Sequence, residues 1–151
     1  MRLLRTLVVC SLVGVVLALP APPAASAGSA RENVIAYVNK ARAEHGRRAL
    51  RPSGSLTRSS SRYAAWMLSH DYFGHRSTIS ASHRFRSLGE TIGMSSGWRA
   101  RWRTIVRMWM RSRTHRRILL SGRFTWIGVG KARGRMDGRR ATTWVARVGR
   151  K

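Results

Sequence analysis

Three residues stand apart as able to do chemistry: His75 in Tyr72-Phe73-Gly74-His75, Glu90 in Leu88-Gly89-Glu90-Thr91-Ile92, and His115 in Ser112-Arg113-Thr114-His115-Arg116. Glu90 is one of only 5 carboxylates beside 30 Lys and Arg. A carboxylate in so basic a chain is expected to be held, by an imidazole, as a cap or in a salt bridge. Two neutral imidazoles and a carboxylate make a divalent-metal donor set if the fold brings them together, and Zn2+ is the ion that suits them best. His75 and His115 would then hold the ion, with Glu90 as a further ligand or as a general base toward water. The chain has no H-E-x-x-H or comparable signature. Spacing alone therefore leaves a second reading open, in which both histidines line a cleft and bond to backbone or to Glu90.

Other chemistries find less support. No G-x-S-x-G elbow is present, and the serines at 59 to 61 and 95 to 96 lie in polar runs that read as surface. Cys10, the single cysteine, falls in an amino-terminal leader, so residues 28–151 hold neither a cysteine nucleophile nor an internal disulfide. His70 and Asp71 are neighbours at the end of an expected helix and are not placed to face one another. His45, just before Gly46, suits the negative end of a helix dipole. His83 sits between basic residues with no carboxylate beside it.

The elements that must position these groups follow a short leader. A basic start with Arg2 and Arg5, an apolar run from Thr6 to Leu19 and the ending Ala25-Ser26-Ala27 describe a signal peptide over residues 1–27, with cleavage after Ala27. A secreted, extracellular or envelope-associated protein is expected, with residues 28–151 forming one domain. Val34, Ile35, Val38 and Ala41 predict a first helix over about 30–45, with Ser29 as N-cap and Gly46 ending it. Leu56, Tyr63, Ala64, Met67 and Leu68 predict a second over about 55–69. Residues 71–98 are polar, rich in Gly and Ser and aperiodic, and read as a long ordered loop with a short helix near 83–88; such loops commonly carry sites. Between 99 and 112, Trp102, Ile105, Val106 and Trp109 share one face opposite Arg99, Arg103, Arg107 and Arg111. That apolar face reads as core, with a membrane-lying helix as the alternative. Residues 126–132 and 142–148 are rich in β-branched and aromatic types around a turn-forming 133–140, and predict a hairpin. Helices followed by a hairpin indicate an α+β layered fold on an antiparallel sheet.

The formal net charge of +25 favours anionic partners: lipid headgroups, acidic wall polymers or, without sequence preference, nucleic acid. An arginine-rich solvated surface without a partner is the competing explanation, and charge alone does not separate the two.

Several segments together resemble one family. Val38 to Gly46 followed by Leu50, with Asn39, Arg42 and Gly46 at their intervals, is similar to the opening helix of bacterial CAP (SCP/PR-1-like) domains. Phe73-Gly74-His75 resembles the family's first cavity histidine, Gly89-Glu90-Thr91-Ile92 its G-E-N-I segment, and Trp109-x-x-Ser112-x-x-His115-Arg116 its W-x-x-S-x-x-H-R segment. Phe124 to Gly130 resembles the strand that follows. The likeness spans about 34–149. It implies an α-β-α sandwich around a central antiparallel sheet and a cleft lined by His75, Glu90 and His115 that holds a divalent ion in some members. It also implies small lipid or peptide ligands, extracellular interaction and, in scattered members, peptide cleavage. Three departures stand out: Thr91 replaces the usual Asn, Ile118 replaces a commonly polar residue, and a second cavity glutamate is missing near Arg111 or Ser112. One carboxylate and two imidazoles are thin for proteolysis, so the expected function is a non-enzymatic extracellular binding or interaction domain. A metal-assisted hydrolase with Glu90 as base is the alternative, and a cationic membrane-active protein is the third.

Overall fold

The computed structural model describes residues 29–81, 84–98 and 101–151. The leader with Cys10, and the readings made of His83 and Arg99, lie outside these residues.

The first helix, α1 (Ala30–Glu44), begins at Ser29 as its cap signal demands: the Ser29 hydroxyl accepts from the Glu32 amide while the Glu32 carboxylate accepts from the Ser29 amide. It ends at Gly46, whose φ of +64° lets the Arg47 amide turn back to the Arg42 carbonyl over 2.8 Å. Strand β1 (Arg51–Pro52) is a two-residue piece. Helix α2 (Gly54–Ser69) follows, capped by Ser53.

Residues 71–98 are the main correction. Their second half is not loop but strand β2 (Ser87–Ser96), and residues 84–86 lead into it as turn rather than helix. Helical structure then resumes as α3 (Trp102–Arg111) and α4 (Arg113–Leu119). Ser112 has extended backbone, at φ −77° and ψ 121°, and serves as C-cap of one and N-cap of the other. Helix α4 thus stands where the sequence predicted none. The chain closes with β3 (Trp126–Met136) and β4 (Arg139–Arg150), longer than expected because only Asp137 and Gly138 make the turn, both at positive φ.

The sheet order is β1-β3-β4-β2. The three long strands are antiparallel as expected, while β1 pairs parallel with β3, so the sheet is mixed. Alternation along β4 divides two cores. Trp144, Ala146 and Val148 pack with Val34 and Val38 of α1, Ile105, Val106 and Trp109 of α3, and Leu119 of α4. Val145 and Ala141 face the other way, toward Tyr63, Ala64 and Met67 of α2. The result is a helix-sheet-helix sandwich in which the apolar face of α3 is core, as its pattern implied. Helix α2 lies directly on β3 because Gly128 and Gly130 lack side chains: a Cβ at either would land on backbone atoms of Leu56, Thr57, Ser60 or Ser61. The Thr143 hydroxyl donates to the Ala64 carbonyl over 2.7 Å and pins the same helix to β4.

Candidate functional site

Strand β2 is an edge strand, and the segment leading out of α2 is folded against it by its own aromatic residues. The Tyr63 hydroxyl donates to the Gly74 carbonyl over 2.6 Å, and the Tyr72 hydroxyl donates to the His75 carbonyl over 3.0 Å. Gly74 is required beneath that bridge, since a Cβ there would stand 2.6 Å from the Tyr72 hydroxyl oxygen. These contacts turn the half-exposed His75 ring onto Glu90. His75 Nδ1 lies 2.9 Å from Glu90 Oε1. A carboxylate only accepts here, so the imidazole donates from Nδ1.

The other Glu90 oxygen is taken by a residue the sequence reading missed. Arg147 stands opposite Glu90 in the β2–β4 register, and its Nε donates to Glu90 Oε2 over 2.8 Å. Both side chains are almost wholly buried, at 4 % and 3 % exposure. The Arg147 guanidinium also donates to the Ser80 carbonyl over 2.7 Å and lies over the Tyr63 ring at 5.1 Å. Burial, followed by the charge of Glu90, raises the Tyr63 pKa above the ordinary tyrosine value, so this hydroxyl stays protonated and donating. The sequence held a partial signal for Arg147: a lone arginine in Trp144-Val145-Ala146-Arg147-Val148 is buried with its strand, and a buried guanidinium needs acceptors.

His115 reaches the same edge from α4. Its pKa is lowered below 6.5, first by burial and second by the charge of nearby His75. Its Nδ1 is buried and has no hydrogen-bond partner. The buried Thr91 hydroxyl, where the related pattern carries Asn, also lacks one. The structure therefore joins His75 directly to Glu90 and brings His115 within electrostatic reach of His75.

For a divalent ion the fit is partial. Among the described residues, no group of three or more His, Cys, Asp or Glu side chains is placed to hold a metal. Glu90 is almost wholly buried and already accepts from both His75 and Arg147. Of the expected donor set, His75 is oriented by Glu90, as carboxylates orient metal-bound histidines, and His115 lies within electrostatic reach of it.

Among the described residues, the other two histidines, His45 and His70, are structural. His45 Nδ1 donates to the Ala41 carbonyl over 2.8 Å at the end of α1. His70 stacks on Trp66 with ring centroids 4.4 Å apart, and its Nδ1 lies 3.0 Å from the Trp66 carbonyl. Asp71 turns elsewhere, accepting from the Asp137 amide over 2.9 Å at the hairpin turn. The motif residues of α1 also have structural work. Asn39 makes a two-way amide pair with the Leu50 backbone, at 3.0 and 2.8 Å. Arg42, 1 % exposed, donates to the carbonyls of Arg48, Leu119 and Ser121 over 2.8, 2.6 and 2.9 Å.

Comparison with known proteins agrees with this architecture. The chain is similar to an outer surface protein of Borrelia burgdorferi, with a TM-score of 0.64 and 13% identity over 80% of this chain and 91% of that one. It is also similar to an extracellular protein of Bacillus anthracis containing an SCP domain, with a TM-score of 0.64 and 21% identity over 81% of this chain; it spans 40% of that longer protein. Venom allergen-like protein 4 of Schistosoma mansoni aligns with a TM-score of 0.59 and 9% identity, over 82% of this chain and 91% of that one. At such identities the likeness concerns the fold. No curated protein matches the chain. The model of the CAP, cysteine-rich secretory protein family matches residues 35–147, a span that takes in His75, Glu90, His115 and Arg147, and the chain belongs to that family.

Proposed function

We propose that the protein is exported by means of residues 1–27 and acts outside the cell as a non-enzymatic binding domain for anionic components of the envelope. The observation that carries this reading is the double engagement of Glu90, whose Oε1 faces His75 and whose Oε2 faces Arg147. A general base needs an oxygen free to meet a substrate proton or a water. Each Glu90 oxygen already accepts from a donor and the carboxylate is almost sealed from solvent, which suits an architectural group better than one that must meet a substrate. The net charge of +25 supports an anionic partner, reached through long-range attraction. The similar outer surface and extracellular proteins support export, and no helix among the described residues is long and apolar enough to cross a membrane. The test is co-sedimentation of the full-chain product with purified envelope fragments across a salt series. The proposal expects binding that weakens steeply with salt and is unchanged in the His75→Ala/His115→Ala double variant. Absence of the wild-type protein from the pellet at low salt would refute it.

One observation favours a second reading. The unpartnered Nδ1 and lowered pKa of His115 describe a neutral imidazole with a lone pair to give. A divalent ion held there by His75 and His115 would make a nearby water more acidic, and Glu90 would then act through His75 as its positioning group. Zinc titration by calorimetry, beside the same double variant, tests it. Micromolar or tighter binding lost in the variant would support this reading, and no binding in either protein would remove it.

A further inference from the structure

The basic charge of this molecule has a concave location that its helical stripe of arginines on α3 does not predict. Two adjoining cavities, of about 200 and about 530 Å3, run along the exposed side of α2 and share Ser59, Arg62 and Ser80. Arg62 lines both, Arg58 one helical turn before it lines the larger, and Arg76, from the segment that carries His75, lines the smaller. No Asp or Glu lines either cavity. All five carboxylates of the chain are placed elsewhere. Glu32 caps α1, and Glu44 lies beside Tyr37 and Lys40. Asp71 and Asp137 meet at the hairpin, and Glu90 is enclosed by His75 and Arg147. Arg147 is thereby neutralised at the groove floor. The exposed Arg58, Arg62 and Arg76 have no carboxylate of this chain beside them, so an anion for this groove must come from outside.

We infer that this α2 groove binds the phosphate groups of an extended polyol-phosphate or sugar-phosphate polymer. The inference rests on the envelope-binding reading above and names its site and ligand chemistry. Guanidinium groups present paired donors that match phosphate oxygens, and two connected cavities suit successive charges along a flexible chain. A bilayer is disfavoured, because none of the exposed large apolar residues lines the groove. Single-stranded nucleic acid is disfavoured because it needs free aromatic faces for its bases. Trp66, the groove's large aromatic residue, already packs on Tyr63, His70 and Tyr72 and carries Arg76 over its ring at 5.0 Å.

The experiment measures affinity of the full-chain product for a short poly(glycerol phosphate), for single-stranded DNA of equal charge and for inorganic phosphate, each across a salt series. The groove variant is Arg58→Ser/Arg62→Ser/Arg76→Ser, and Arg103→Ser/Arg107→Ser/Arg111→Ser on α3 removes the same charge elsewhere. Thermal melts verify that both remain folded. The groove variant is expected to lose at least about tenfold in affinity for the glycerol phosphate chain, with the slope of log K against log salt reduced by about 2, as the loss of three phosphate contacts requires. The α3 variant is expected to stay within about threefold of wild type, since distant exposed charges are screened. DNA of equal charge should bind more weakly than the glycerol phosphate chain, and inorganic phosphate more weakly still. Equal losses in the two variants, or DNA bound as tightly as the polymer, would overturn the inference. Wild-type protein that pellets with envelope fragments but ignores the glycerol phosphate chain would overturn it too, while leaving the envelope-binding reading in place.

Discussion

Arg147 and Glu90 face each other across β4 and β2 with Nε 2.8 Å from Oε2, both nearly sealed from solvent. An ion pair in that position is costly to break from one side, because the survivor remains buried and unpaired. Arg147→Met should destabilise the fold by about 3–5 kcal/mol. Glu90→Leu/Arg147→Met should cost less than the single change, since the stranded charge is gone. Urea unfolding of wild type, both single variants and the double variant measures this coupling. Additive losses would show that the pair is not the connection between strand register and cleft.

Arg42 is held without any carboxylate. Its guanidinium donates to buried backbone carbonyls that end α4 and open the approach to β3. Burial, with the charge of Arg47 second, lowers its pKa from the usual arginine value. Arg42→Met should lose about 3 kcal/mol in urea unfolding, by leaving carbonyls such as that of Leu119 unsatisfied. Arg42→Lys should recover only part of this, because an ammonium cannot reproduce the planar fork.

His115 gives the fold a pH dependence of known sign. Its folded-state pKa lies below 6.5, so as pH falls the unfolded chain takes up this proton first. The stabilising contribution is full above pH 6.5 and is lost as pH drops through that value toward the lowered folded one. Melting temperature against pH should therefore fall less steeply on the acid side in His115→Gln than in wild type. An identical slope would place the titration elsewhere.

Gly130, like Gly128, marks a point where α2 lies directly on the sheet. A Cβ there would overlap the backbone of Ser60 and Ser61, whereas at Gly134 the nearest atom is the end of the Leu68 side chain at 3.2 Å. Gly130→Ala should cost about 1–3 kcal/mol by forcing the helix off β3, and Gly134→Ala should cost less. Comparison of their melting temperatures decides it.

What the sequence disclosed, and what it hid, follows from how each residue is buried. Helix α1 was legible because its apolar residues share one face and Ser29 and Gly46 bracket it. The β4 strand was legible because its apolar run is continuous. Strand β2 was not, since Gly89 and Gly93 sit where Ile118, Trp109 and Met108 press on it and so remove the hydrophobic alternation that marks a strand. Helix α4 was equally hidden, as Ser112 reads only as the end of the preceding helix until its hydroxyl is seen accepting from the His115 amide. His75, Glu90 and His115 could be named from residue type and from the family likeness. Arg147 stood out only as a cation in an apolar run; its pairing with Glu90 was hidden, because that partner is set by strand register, which exists only once β2 is recognised.

The proposed binding function requires that Glu90 hold the cleft together and take no proton from a substrate. Its most direct test is hydrolysis of a broad set of peptides and esters by the full-chain product with zinc added, beside Glu90→Gln and His75→Ala/His115→Ala. The account expects no turnover above background in any of the three. Zinc-dependent turnover by wild type, lost in both variants while both remain folded, would contradict it.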